Sequence, residues 1–226
     1  MKKFFLDRSV SLYTVVIVLV LATLLQSGIS YSTTFGRLKD NIQLMSWVPI
    51  SFLTLRFSLI ILAFLLWLLK RKKFLFKVII LVNSFLTLGL ILNVAALLDV
   101  LIGFRSGEAN TLILGVIFLA ASNVLIFSVW YWIVDPPGVE EDPRDKDAWD
   151  FLFPQRGGEI PHYEIWVPKY TDYLFIAFTT SIAFSPTDTL PLTRRAKILM
   201  MLQAGVSLVT ITAIASSAIN IMAGGA

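Results

Sequence analysis

The sequence contains no cysteine and a single histidine, His162. Without thiols, a disulfide framework, a thiolate zinc site, an iron–sulfur cluster and a cysteine nucleophile are all excluded. A Ser-His-Asp enzyme would depend entirely on His162, and no nucleophile motif stands beside a base. The sequence therefore predicts a protein that is not an enzyme, with no catalytic residue, no metal site and no cofactor.

Charged residues are also scarce. Only 15% of the 226 residues are charged and 57% are hydrophobic, with a mean hydropathy of +0.78. A water-soluble domain of this length is less apolar. The net charge of +4 comes from short basic clusters between apolar runs, which is typical of membrane topology rather than of nucleic-acid binding. The composition predicts an integral membrane protein that contacts the lipid bilayer and no nucleic acid.

Long apolar runs predict the helices, because a bilayer-spanning helix needs about 20 mostly apolar residues. Five stretches qualify: residues 9–30, 47–69, 74–98, 111–134 and 198–222. A sixth stretch, 170–184, is shorter and stops at Ser185-Pro186, so it either spans or enters the membrane and returns. The predicted fold is an all-α, polytopic transmembrane bundle with five spanning helices plus a short re-entrant or sixth membrane helix. The first stretch has a signal peptide as its alternative reading.

Three regions follow from these runs. Residues 1–134 form a four-helix transmembrane region, 135–169 an acidic aqueous loop and 170–226 a hairpin of short helix, turn and final helix. The sequence Asp135-Pro136-Pro137-Gly138 is predicted to end the fourth helix, since proline interrupts the hydrogen-bond ladder. The loop has six acidic residues whose spacing matches no EF-hand, so a solvated acidic segment is expected: Glu140, Glu141, Asp142, Asp145, Asp147 and Asp150.

Basic residues predict the orientation, because cytoplasmic loops retain Lys and Arg. The cluster at residues 70–73 is the strongest and is assigned to the inside, which also places the N-terminus and the acidic loop inside. The triplet of Arg194, Arg195 and Lys197 lies on that side only if residues 170–184 re-enter. Charge therefore favours re-entry over a sixth span.

A hydroxyl-rich segment between the short helix and the last helix is the main functional candidate. Irregular backbone at membrane depth persists only when it is buried in protein or lines water, so a polar passage is the natural hypothesis. Oxygen ligands and one carboxylate suit a cation. The predicted ion pathway consists of Thr179, Thr180, Ser181, Ser185, Thr187, Asp188 and Thr189. In the alternative reading, Asp188 caps the start of the last helix.

The last helix carries a polar stripe at steps of three, four and seven residues, which places its members near one face. This stripe is predicted to line a pore; its residues are Gln203, Ser207, Thr210, Ser217 and Asn220. The alternative is tight helix packing, since the same helix is rich in Ala, Gly and Ser.

The order of residues here resembles the pore region of the two-helix potassium-channel family. Thr179-Thr180, the stretch 182–185, Asp188, Pro191-x-Thr193 and Ala196-Lys197 match its pore helix, filter and inner-helix start. Ala183 and Ser185 stand where the family filter has glycines, and Pro186-Thr187 is an insertion. The resemblance implies a pore-forming homo-oligomer, tetrameric in that family, that passes monovalent cations.

The sequence is also similar to a group of bacterial membrane proteins of unassigned activity that share Asp-Tyr-Leu, Ala-Phe-Ser-Pro-Thr-Asp-Thr, Pro-Leu-Thr and Ala-Lys. This resemblance implies a multi-pass protein of the bacterial inner membrane. The predicted function is an ion-channel-like or pore-forming membrane protein with a non-standard filter. A structural or assembly membrane protein and a small-solute transporter are the alternatives.

Overall fold

The computed structural model describes residues 9–31, 58, 61–62, 65, 72–102, 109–135, 149–157, 160–161 and 166–224, with side chains over narrower parts of these ranges. Its helices are α1 (Ser9–Tyr31), α2 (Lys72–Ile102), α3 (Ala109–Val134), α4 (Tyr170–Ala183) and α5 (Arg194–Gly224). The strands β1 (Phe151–Leu152) and β2 (Leu190–Pro191) form an antiparallel pair, and Pro154–Gly157 is a 3₁₀ turn. The described part of the chain is mostly helical, as predicted, and the short strand pair is an addition to the predicted all-α fold.

Three described helices are long and apolar enough to cross a membrane: Phe74–Leu98 in α2, Gly115–Val134 in α3 and Arg194–Ser216 in α5. They coincide with the third, fourth and last of the predicted spans. In α1 the apolar part with described side chains, Tyr13–Gly28, is shorter. Most of the predicted span 47–69 lies outside the described residues, so the count of five spanning helices stays a prediction.

Helix α3 is the centre of the bundle and packs against α1, α2, α4 and α5. Apolar residues cover all its sides, and Val116, Leu119, Ile126 and Val129 are almost fully buried. A helix that is apolar all round is expected to be enclosed by other elements. It ends at Val134, immediately before the Asp-Pro-Pro-Gly sequence, as predicted.

Small and polar residues bring α1 and α2 close to their neighbours. The Gly28 backbone approaches the Phe118 ring so closely that a Cβ atom would lie 3.0 Å from it. Gln26 donates to the carbonyl oxygen of Leu86 (2.8 Å), and Trp130 Nε1 donates to Thr87 Oγ1 (2.8 Å). Such contacts associate helices in lipid, where burial of apolar surface provides little driving force between them.

The outer surface of the bundle is apolar. On α5 the side chains of Ile198, Met201 and Leu208 are 57%, 73% and 58% exposed, and α2 likewise exposes Phe74 and Ile91. A soluble monomer rarely exposes apolar surface of this extent. This surface is compatible with contact with lipid tails.

Candidate functional site

The candidate site lies in the segment from α4 to the start of α5. Helix α4 begins after Lys169, whose backbone N–H donates to Oδ2 of Asp172 in the first turn (2.6 Å). The helix ends at Ala183 because Phe184 adopts the left-handed conformation (φ 54°), two residues before Pro186.

Helices α4 and α5 run in the same direction. Gln203 donates to the carbonyl oxygen of Ala177 (2.7 Å), and Ser207 contacts Ser181 (Oγ to Oγ, 2.9 Å). The second contact is one turn further along both helices. In an antiparallel hairpin, a step forward along one helix is a step back along the other. Residues 184–193 therefore lead back to the level at which α4 begins.

Both helices begin at the end of the molecule where α3 stops. The Tyr173 hydroxyl, in the first turn of α4, donates to Oδ2 of Asp135 (2.6 Å), the residue that follows α3. Arg195, in the first turn of α5, donates to both carboxylate oxygens of Asp150. The backbone N–H of Asp150 in turn donates to Oδ1 of Asp135 (2.9 Å). At 1.5 Å per residue, α4 extends about 21 Å from this end and α5 about 46 Å.

The turn after α4 contains strained backbone. Thr187 has φ 59°, which is rare for a β-branched residue. Local bonds support it: Thr187 N–H donates to Ser185 Oγ (3.3 Å), and its hydroxyl donates to the Pro186 carbonyl oxygen (2.7 Å). Strain of this kind persists only when the surroundings impose it, and it is frequent at functional sites.

The predicted ion-pathway residues fall into three groups. Thr179 donates to carbonyl oxygens of its own helix. The side chains of Thr180, Ser181 and Thr189 are buried inside the chain. Only Ser185, Thr187 and Asp188 are exposed, and they lie together on the turn.

The turn carboxylate does not cap α5. Thr193 occupies the cap, because its Oγ1 accepts from the Ala196 N–H (3.3 Å) and its carbonyl oxygen accepts from the Lys197 N–H (3.1 Å). Asp188 is exposed, and within the described ranges no residue donates a hydrogen bond to it or pairs with it. The Asp188 carboxylate is therefore open to solvent or to a cation.

Three of the five predicted pore-lining residues turn inward. Gln203, Ser207 and Thr210 are almost fully buried within the chain, which differs from the predicted pore surface. Gln203 accepts from the Tyr131 hydroxyl, and Ser207 accepts from Asn123 Nδ2 (2.8 Å). The physical reason is that polar groups on α5 bond to polar groups on α3. The side chains of Ser217 and Asn220 lie outside the described residues.

The acidic loop supplies two buried carboxylates that the sequence did not identify. Asp135 accepts from the backbone N–H groups of Asp150 and Phe151 and from both terminal nitrogens of Arg156. Asp150, which the sequence placed in a solvated acidic run, has no exposed surface, so for this residue that expectation is wrong. Its side chain accepts from Arg195 and from the Thr193 hydroxyl.

A short ribbon joins this loop to the start of α5. Strand β1 pairs with β2, and the Leu192 N–H donates to the Asp150 carbonyl oxygen (2.9 Å). Aromatic rings pack around Phe153, the residue that follows β1. Its ring centroid is 5.4 Å from that of Trp166 and 5.6 Å from that of Tyr173. We call residues 149–157 with 190–193 the collar, because they connect the ends of α3, α4 and α5.

A signal for the collar was present in the sequence. Asp150 lies within Trp-Asp-Phe-Leu-Phe, an aromatic stretch unlike the charged run before it, and Arg156 follows shortly after. A carboxylate between large apolar side chains is expected to be buried only with a partner. The partner could not be chosen, since Arg144, Arg156, Arg194 and Arg195 all carry the required charge.

The described residues contain no group of three or more acidic or histidine side chains that could hold a metal ion. Comparisons with protein families, curated proteins and solved structures find no match to this chain. The three long apolar helices are compatible with a membrane protein that associates with a lipid bilayer.

Proposed function

We propose that this chain is a multi-pass inner-membrane protein in which residues 170–193 re-enter the bilayer. In a symmetric homo-oligomer, the turn at 184–189 then borders a polar passage for small monovalent cations. One observation carries the proposal: α4 and α5 begin at the same end of the molecule, with an exposed polar turn between them.

The length of α4 supports re-entry. A helix of about 21 Å is shorter than the ~30 Å hydrocarbon core, and α5 begins at the level at which α4 began. The turn would then lie at membrane depth with Ser185 and Thr187 exposed. Irregular backbone at that depth requires protein or water around it. Further copies of the chain would enclose the turn and keep it hydrated.

The distribution of basic residues also supports re-entry. The ring centroids of Phe76, near the start of α2, and Trp132, near the end of α3, are 5.9 Å apart, so α2 begins near the end of α3. One end of the bundle then carries Lys72 and Lys73, which begin α2, and the triplet of Arg194, Arg195 and Lys197. That end is cytoplasmic by the positive-inside rule, and the turn is reached from the cytoplasm.

The chemistry of the turn favours cations. Thr187 and Ser185 offer hydroxyl oxygens, and Asp188 adds a full negative charge with no described partner. Rings of such groups attract cations in channels. The order of long helix, short helix, turn and long helix also agrees with the resemblance to two-helix potassium channels. Since Ala183 and Ser185 replace the filter glycines, the proposal includes no potassium selectivity.

A structural or assembly role is the second candidate. The inward-facing Gln203 and Ser207 bond within the chain and form helix contacts rather than an open pathway. A protein whose polar groups serve helix packing alone would show no flux.

Ion flux from liposomes tests the proposal. We expect Asp188→Asn to reduce cation flux by about tenfold, the factor that corresponds to ~1.4 kcal/mol of lost cation stabilisation. Asp172→Asn is the matched control, because it removes a charge on α4 and keeps the oxygen that accepts from Lys169. Its flux and the thermal stability of both variants should equal those of wild type.

Two results would reject the passage: unchanged flux in Asp188→Asn, or a strictly monomeric particle in nanodiscs. Unchanged flux would show that Asp188 on the turn does not affect cation passage. A monomeric particle would show that no oligomer encloses the turn.

A further inference from the structure

Asn123, Ser181 and Ser207 meet where α3, α4 and α5 cross. Their exposed fractions are 0%, 7% and 0%. Asn123 Nδ2 donates to Ser207 Oγ (2.8 Å), and the hydroxyls of Ser207 and Ser181 are 2.9 Å apart. The Oδ1 atom of Asn123 has no hydrogen-bond partner among the described residues. A buried amide oxygen without a partner is unusual in a folded protein, so it points to a further ligand.

In this arrangement, the hydroxyl hydrogens of the cluster also outnumber their acceptors. Each serine hydroxyl has one hydrogen, and only one hydrogen can lie between the two Oγ atoms. The other hydroxyl hydrogen has no acceptor among the described residues, because Ser181 and Ser207 make only the bonds given above. If the Asn123 amide were rotated, its oxygen would accept from Ser207, Ser207 Oγ would accept from Ser181, and the amide nitrogen would be unpaired. One side of the amide is unpaired in either case, and a hydroxyl hydrogen or the Ser181 oxygen remains available beside it.

The unpaired groups define the chemistry of the ligand. Asn123, Ser181 and Ser207 are neutral, and so are Tyr131, two turns away along α3, and Gln203, one turn away along α5. A cation would require oxygen acceptors alone, and an anion would require donors alone. One free acceptor and one free donor fit a molecule that both donates and accepts.

We propose that an ordered water molecule bridges the Asn123 amide and the Ser181–Ser207 hydroxyl pair inside each protomer. Buried waters occur where at least two polar groups are otherwise unpaired, as here. This water would complete the polar contact that joins the short helix α4 to α3 and α5. The site lies within one chain and does not rest on the proposed passage along the turn.

A high-resolution crystal structure of the full chain tests the site. We expect density at hydrogen-bond distance, about 2.7–3.2 Å, from the Asn123 amide and one serine Oγ. Asn123→Leu, which removes both amide groups at similar volume, should abolish this density. Ser84→Ala is the matched control and should retain it, because the exposed Ser84 hydroxyl bonds only to the Ile80 carbonyl oxygen of its own helix.

A solution measurement keeps the proposal testable if Asn123→Leu does not fold. Thermal stability of the wild-type protein in sodium, potassium and rubidium chloride of equal concentration should be the same, because water is the ligand. A stability that depends on the cation, or anomalous density at the site after a rubidium soak, would overturn the assignment in favour of a metal ion. Wild-type crystals without density at the site would also overturn it.

Discussion

At the scale of single residues, the best-defined feature is the buried pair of Asp135 and Arg156. Their side chains are 0% and 3% exposed, with 2.9 Å between Oδ2 and Nη2. Arg156 also donates to the Phe151 carbonyl oxygen (2.6 Å) and lies 4.8 Å from the Trp149 ring centroid. Burying two charges is expensive, so the pair is stable only because nearly every polar atom has a partner.

We expect Asp135→Ala to lower the free energy of unfolding by about 3–5 kcal/mol, because it leaves the Arg156 charge buried without its carboxylate. The double variant Asp135→Leu with Arg156→Met should cost less, since it leaves no buried charge. The Asp150 and Phe151 N–H groups and the Tyr173 hydroxyl lose their acceptor in both variants, so the comparison isolates the charge. Unfolding in denaturant, followed by tryptophan fluorescence in detergent, measures both. Equal decreases in the free energy of unfolding for the single and the double variant would contradict the cost assigned to the unpaired Arg156 charge.

At the scale of elements, helix packing depends on where glycine lies as much as on apolar content. Gly28 is in contact with Phe118 on α3. A Cβ atom at Gly205 on α5 would have no neighbouring atom within 4 Å. Both lie inside helices, where glycine costs roughly 1 kcal/mol relative to alanine. Only the environment separates the two positions, and sequence alone treats them alike.

Gly28→Val is therefore expected to destabilise the protein by about 1–3 kcal/mol, because the branched side chain pushes α1 away from α3. The matched variant Gly205→Val should change the free energy of unfolding by less than about 0.5 kcal/mol. Thermal unfolding of both proteins in the same detergent compares them. A larger loss for Gly205→Val would mean that α5 is closely packed against another copy at this position.

At the scale of the whole molecule, the sidedness of α5 decides between a re-entrant and a spanning α4. A spanning α4 would place the start of α5 on the opposite face of the membrane from the start of α2. A re-entrant α4 would place both on the same face. The absence of native cysteine makes this question accessible to single-cysteine labelling.

We expect cysteines at Lys72, Glu141 and Lys197 to be shielded from an impermeant thiol reagent in intact cells and labelled after lysis. A cysteine at Arg105, between α2 and α3, is the external control and should be labelled without lysis. Labelling at Lys197 together with Arg105 would mean that α4 spans. Labelling at Lys72 in intact cells would reverse the whole orientation.

The sequence by itself determined where the described helices lie. Apolar runs of sufficient length predict α2, α3 and α5, and Pro136 and Pro186 mark where α3 and α4 stop. These features are local, because a helix satisfies its own backbone hydrogen bonds and a proline interrupts them. Composition was likewise sufficient to predict a surface compatible with lipid.

Only the tertiary structure decided which polar groups meet. Asp150 belongs to an acidic run in the sequence, but in the fold its carboxylate is buried and pairs with the exposed Arg195. The polar face of α5 has the spacing of a pore lining, yet Gln203 and Ser207 bond to α3 and α4. The physical reason is that partners far apart in sequence are chosen by how helices pack. Helical periodicity defines the face of a side chain but not the element opposite it.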